Sequence, residues 1–316
     1  MLTAVLSLTG ALVYGAADFL GGLAAKRISA ILATALGAAS GLAMLLVVLP
    51  FLGGAWTAGD LAWGAAAGVA GTIAIGLLYA CLAIGPMSIL SPLTAVVSAI
   101  TPMAWGLVVG GERFGPLGAW ALALALVAVV LVGFVPERGA VRPSARGLLM
   151  AVGSGAGIGA YYILIAQTAE ASGLVPLAAT RGVTMVLGFA TAGVLALVAA
   201  RRAVRTIAGR PDASGGSDAP GATDASDADA VAAARATRAS GIRLALWCGV
   251  VDVTANALLL LGIRAGDLSV AAVLGALYPA GTILLAAVVL RERIAPVQWA
   301  GLALALAAAG MLAAGG

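Results

Sequence analysis

The sequence predicts an all-α integral membrane protein, with ten transmembrane helices arranged as two inverted five-helix repeats. Three observations carry this expectation. Of the 316 residues, 62% are hydrophobic and 9% are charged, where soluble domains carry roughly 25% charged residues. Ten apolar runs are long enough to cross a bilayer, which takes about 20 residues. The last five runs also repeat features of the first five at a fixed spacing.

The runs cover approximately 3–24, 29–50, 61–83, 87–110, 116–135, 147–168, 176–199, 242–263, 268–290 and 296–314. In hydrocarbon a helix satisfies its own backbone, so each run reads as one helix. The first begins MLTAVLSLTG, without a basic leader or a small-residue cleavage site. It is therefore read as a retained helix and not as a signal peptide. Short punctuated connections separate several later runs: Gly85-Pro86, Glu112 to Pro116, Arg264 to Asp267, and Arg291 to Pro296. Residues 136–146 join the two halves, 1–135 and 147–316. One connection differs. From 201 to 241 the chain is rich in Ala, Gly, Ser and Asp and nearly devoid of large apolar residues, the composition of a flexible loop. Within it, Asp229 to Arg238 has the make-up of a short surface helix.

The repeat is visible in particular residues. Glu112-Arg113-Phe114-Gly115-Pro116 matches Glu292-Arg293-Ile294-Ala295-Pro296 at a spacing of 180, and Ala121 to Leu126 matches Gly301 to Leu306 at the same spacing. Gly68, Leu77 and Gly85-x-x-Ser88 match Gly249, Leu258 and Gly266-x-x-Ser269 at a spacing of 181. Five spans per copy is an odd number, so the second copy enters the membrane from the opposite side. Such inverted repeats place a solute site near the midplane between the copies.

Basic residues set the expected orientation. Lys26, Arg27, Arg138, Arg142, Arg146, the arginines from Arg201 to Arg243, Arg291 and Arg293 lie on one side, and only Arg113 and Arg264 on the other. This bias puts the 201–241 connection in the cytoplasm and both termini outside. Trp56, Trp63, Trp120, Trp247 and Trp299 fall near helix ends, as an interfacial belt requires.

Three charged residues lie inside apolar runs: Asp18, Arg181 and Asp252. Intramembrane charges face a cavity or each other and mark functional sites by default. Structural alternatives stand beside that reading. Arg181 has room to snorkel to the interface, Asp252 to pair with Arg181, and Asp18 to pair with Lys26 or Arg27. Tyr14 lies four residues before Asp18, and Asn256 four after Asp252, so each pair shares a helix face. Trp105, Tyr161 and Tyr162 are candidate cavity aromatics, with packing as the alternative. Gly37 and Gly41, Gly64 and Gly68, Gly106 and Gly110, and Gly155 and Gly159 form small faces for close helix approach.

Other chemistries are poorly served. Histidine is absent and the two cysteines, Cys81 and Cys248, lie in separate apolar runs, so no metal ligand set or nucleophile–base pair is legible. No Walker motif appears, and GSGAGIGAYY has the wrong spacing for a dinucleotide loop. No cofactor, metal or nucleic-acid partner is expected. The expected partners are a small-molecule solute and the lipid bilayer, and a homodimer is compatible with both.

The motif YGxxDFLGG in the first run, a Glu after the fourth and ninth runs, and a glycine-bearing last run together resemble the EamA family of the drug/metabolite transporter superfamily. Pro279, thirteen residues before Glu292, is similar to the family's proline-to-glutamate pattern in the second repeat, with Glu112 its counterpart in the first. The first repeat departs from it, with Ala99 at the proline position and Pro102 displaced. Arg181 matches an arginine the family often carries early in the second helix of a repeat, where Leu36 stands in the first. The resemblance covers nearly all of the chain outside 201–241. It implies a non-enzymatic permease of the bacterial cytoplasmic membrane that exports or imports small metabolites. Together with the inverted repeat and the buried carboxylates, the favoured reading is an exporter of small organic solutes working by alternating access, with proton coupling through Asp18 or Asp252 as an option. The resemblance also implies cytoplasmic termini, opposite to the charge bias. A non-transporting scaffold or sensor on the same fold, and a lipid-carrier flippase, remain open at this point.

Overall fold

The structure is a computed structural model and describes residues 1–84, 87–133, 143–208, 224–291 and 293–315. Among these, the helices are α1 (Leu2–Ala25), α2 (Ala30–Leu52), α3 (Ala58–Ile84), α4 (Met87–Val108), α5 (Pro116–Gly133), α6 (Ala145–Ala166), α7 (Val175–Ala208), α8 (Asp224–Arg264), α9 (Leu268–Gly275), α10 (Tyr278–Val289) and α11 (Pro296–Gly315). Nine spans are long and apolar enough to cross a membrane, α9 and α10 together making one of them, and a shorter apolar helix follows at 296–312. The chain is thus all-helical, with about ten membrane-crossing segments among the described residues.

Local chemistry accounts for several boundaries. Ser29 and Ser144 cap α2 and α6 by accepting the backbone N–H of Leu32 (3.2 Å) and Gly147 (3.1 Å). The start of α9 is capped from elsewhere in the chain. The Glu112 carboxylate accepts the N–H groups of Leu268 (2.7 Å) and Ser269 (3.2 Å) and the Ser269 hydroxyl. An anion on exposed N–H groups at a helix N-terminus is favourable twice over, by hydrogen bond and by dipole. Glu112→Ala should therefore lower unfolding stability by about 2 kcal/mol, read as a shift in the denaturation midpoint. Glu292, the matching residue in the second repeat, lies outside the described residues.

Two expectations need correction. The run at 268–290 is two helices, because a turn at Ala276 and Leu277 interrupts it and α10 restarts with Pro279 in its first turn. Pro279 cannot supply the N–H that a continuous helix needs there. The 201–241 connection is partly helical as well, since α7 runs on to Ala208 and α8 begins at Asp224. Its lack of large apolar residues is real, and the side chains of 232–239 are exposed. Its alanines and arginines, however, are strong helix formers. Extending an existing helix also avoids the cost of nucleation. The Asp229 to Arg238 stretch lies inside α8, and residues 209–223 are outside the described residues.

Helices of the two halves interleave. α1 packs on α8 and on the α9–α10 pair, α2 on α7 and α8, α3 on α6 and α7, α4 on α6 and α9, and α5 on α11. Exchanging the first five spans with the last five maps this set onto itself. The α1–α8 contact becomes α3–α6, α2–α8 becomes α3–α7, and α4–α6 becomes α1 against α9–α10. Small residues permit the closest approaches. Gly64 and Gly68 meet the backbone of α7 at Pro176 and Thr180, Gly155 and Gly159 meet α4 at Val97 and Thr101, and Gly37 and Gly41 meet α8. Gly106 and Gly110 are the exception: Gly106 faces the Glu112 and Ser269 side chains, and the atoms nearest a Cβ at Gly110 are the backbone of Gly106.

Candidate functional site

A cavity of about 310 Å³ lies between the halves, lined from α1, α2, α3, α6, α7, α8 and α10. It reaches from Tyr14, Asn256 and Tyr278 at its inner end to Ala25 and Ala30 at the α1–α2 connection. Along α1 that is eleven residues, about 16 Å at 1.5 Å per residue. Beyond the inner end a buried apolar cluster closes the path, including Ile165, Leu177, Leu259, Leu260 and Leu268.

The far side of that cluster carries a polar latch. The Arg264 guanidinium donates to the carbonyls of Gly173 (2.6 Å) and Ala169 (3.0 Å) and to the hydroxyls of Thr168 (3.1 Å) and Ser172 (3.2 Å). The Asp60 carboxylate accepts the Ala169 N–H (2.8 Å) and the Thr57 hydroxyl (2.6 Å). Ala55 N–H donates to the Ala171 carbonyl (2.8 Å). The connections before α3 and between α6 and α7 are thereby tied to the end of α8 at one end of the bundle, while the cavity reaches the exposed Ala25 at the other.

All three intramembrane charges meet in the cavity. Arg181 on α7 and Asp252 on α8 form an ion pair, with side chains 12% and 24% exposed. Arg181 therefore does not snorkel, and the charge of Asp252 is balanced. Asn256 donates to the Asp252 carbonyl (2.7 Å) and accepts the Tyr161 hydroxyl. The rings of Tyr161 and Tyr162 meet edge to face, 5.5 Å apart at 74°. Asp18 lines the cavity and is exposed to it, and it is partnered neither by Lys26 nor by Arg27, whose guanidinium donates to Ser240 instead. Among the described residues, Asp18 is the intramembrane carboxyl group with no ion-pair partner.

Sequence reasoning thus named seven residues that the fold brings to one cavity: Tyr14, Asp18, Tyr161, Tyr162, Arg181, Asp252 and Asn256. Trp105 is not among the lining residues, and sits 40% exposed on the bundle surface one turn before the end of α4. The five presumed belt tryptophans are exposed as well, from 42% for Trp63 to 73% for Trp120. Tyr278 and Cys248 line the cavity and were missed. The signal for Tyr278 was present, because a residue before proline resists helical geometry and the Tyr278-Pro279 step marks the break that turns it inward. Arg264 looked like an ordinary connection residue, since nothing local distinguishes a latch from a solvated arginine.

Residues 230–314 match the family model described as the EamA-like transporter family. A crystal structure of another protein, 17% identical, covers 98% of this chain and 95% of that chain with a TM-score of 0.66. At that identity the likeness shows the fold alone. No curated protein matches the chain. Over residues 230–314 the chain is thus similar to the EamA-like transporter family, within an all-helical fold whose described residues include nine spans long and apolar enough to cross a membrane.

Proposed function

We propose that the chain is a secondary transporter that exports small organic solutes across the bacterial cytoplasmic membrane by alternating access. The observation that carries this reading is the cavity. It lies between helices of both halves, gathers all three intramembrane charges, opens at one end and is latched at the other. Helices of two interleaved repeats rocking about such a site would expose it to each side in turn. A scaffold or sensor would need neither a cavity nor an unpaired carboxylate within it. The open end is the α1–α2 end, on the side rich in basic residues, so by the charge bias this form faces the cytoplasm and the termini lie outside. With histidine absent, Asp18 and Asp252 are the groups in the cavity available to carry a coupling proton.

Cys248 lines the cavity, and Cys81 is fully buried. In a Cys81→Ala background, a membrane-impermeant thiol reagent should label Cys248 in inside-out and in right-side-out vesicles. Labelling from one face only would identify a static cavity and sink the transporter reading. The latch predicts the bias between faces. Arg264→Gln removes charge-assisted bonds worth about 1.5–3 kcal/mol each in favourable cases. Labelling from the latched face should then rise at least tenfold.

A further inference from the structure

Resting on the transporter reading, we propose that the solute is an organic monocation, an ammonium group on an apolar body, held by the Asp18 carboxylate within a cage of tyrosine rings. Charge is the first argument. The lining contains two carboxylates and one guanidinium, and the guanidinium is already paired with Asp252. What remains for a solute is one negative charge, on Asp18. Arg181 Nε is buried without a hydrogen-bond partner and is not presented to the cavity.

The aromatic lining is the second argument. The chain has five tyrosines, and four of them, Tyr14, Tyr161, Tyr162 and Tyr278, line this one cavity; none of its six tryptophans does. Tyr162 and Tyr278 lie within electrostatic reach of Asp18. Tyr161 and Tyr162 meet edge to face and nearly perpendicular, with Tyr162 almost wholly buried behind Tyr161 in the lining. The Tyr161 hydroxyl is engaged by Asn256, so its ring is held in place. Ring faces attract cations, most strongly where water is excluded. Recognition of an ammonium group by a carboxylate and π faces accounts for tyrosines gathering beside Asp18. The rest of the lining is mostly alanine, glycine, isoleucine and threonine, which suits an apolar body, and the volume suits a small organic molecule.

The test uses radiolabelled benzyltrimethylammonium, whose charge does not depend on pH, and the full-length protein in lipid nanodiscs. Saturable binding is expected, with 3-phenylpropionate and phenylalanine unable to compete. Asp18→Asn should weaken binding at least tenfold and Asp18→Glu by less, with both variants melting near wild type. Absence of saturable cation binding overturns the proposal, as does unchanged affinity in Asp18→Asn. Competition by 3-phenylpropionate or phenylalanine would overturn it in favour of an anionic or zwitterionic solute. None of these results touches the vesicle labelling of Cys248. Two-sided labelling without cation binding leaves a transporter of another solute class, and one-sided labelling ends the transporter reading itself.

Discussion

Asp252→Asn should lower unfolding stability by about 3 kcal/mol, and Arg181→Gln added to it should recover most of that loss. Removing one partner of a buried ion pair leaves the other charge unpaired, which costs about 3–5 kcal/mol in a dry interior. The low end applies because the two side chains are 12% and 24% exposed to the cavity. Denaturation midpoints of the single and double variants measure the effect, and an unchanged midpoint in Asp252→Asn would show that the pair contributes no stability. Solute efflux from cells separates structure from mechanism. A double variant that is stable and transports assigns Asp252 and Arg181 to structure, with Asp18 alone meeting the solute. A double variant that is stable and inactive assigns the pair to the transport cycle.

Gly249→Ala should be at least as damaging. A Cβ at Gly249 would fall on the Gly37 carbonyl oxygen and against the Ser40 hydroxyl, where α8 crosses α2. Backbone cannot step aside as a side chain tip does, so the two helices must part. That separation also breaks the Ser40 bond to the Leu246 carbonyl (2.8 Å). Overpacking of this kind costs about 3 kcal/mol or more, and the crossing forms one wall of the cavity. The expected result is loss of folded protein from the membrane. Gly193→Ala is the control, because nothing lies within 4 Å of its added methyl group and alanine favours helix. Equal behaviour of the two variants would show that the close crossing does not govern packing.

Much of this protein was determined by sequence alone, for a physical reason. In hydrocarbon an apolar run of sufficient length has only the helix open to it, so composition and run length dictate the spans. An internal charge is costly enough to stand out, so Asp18, Arg181 and Asp252 were legible without a structure. Helical spacing likewise placed Tyr14 beside Asp18 and Asn256 beside Asp252. The partners of these residues were not legible. Whether Asp252 meets Arg181 or a solute depends on how α7 and α8 each pack on α2, and the α2–α8 crossing depends on the contact of Gly37 with Gly249, more than two hundred residues away. Trp105 misled for the same reason, since run length says nothing of which face a helix turns outward. The caps and latches were hidden too. Glu112 on the start of α9 and Arg264 on the carbonyls before α7 satisfy backbone groups that their own segments leave open. Only the assembled bundle decides which distant side chain comes close enough to do so.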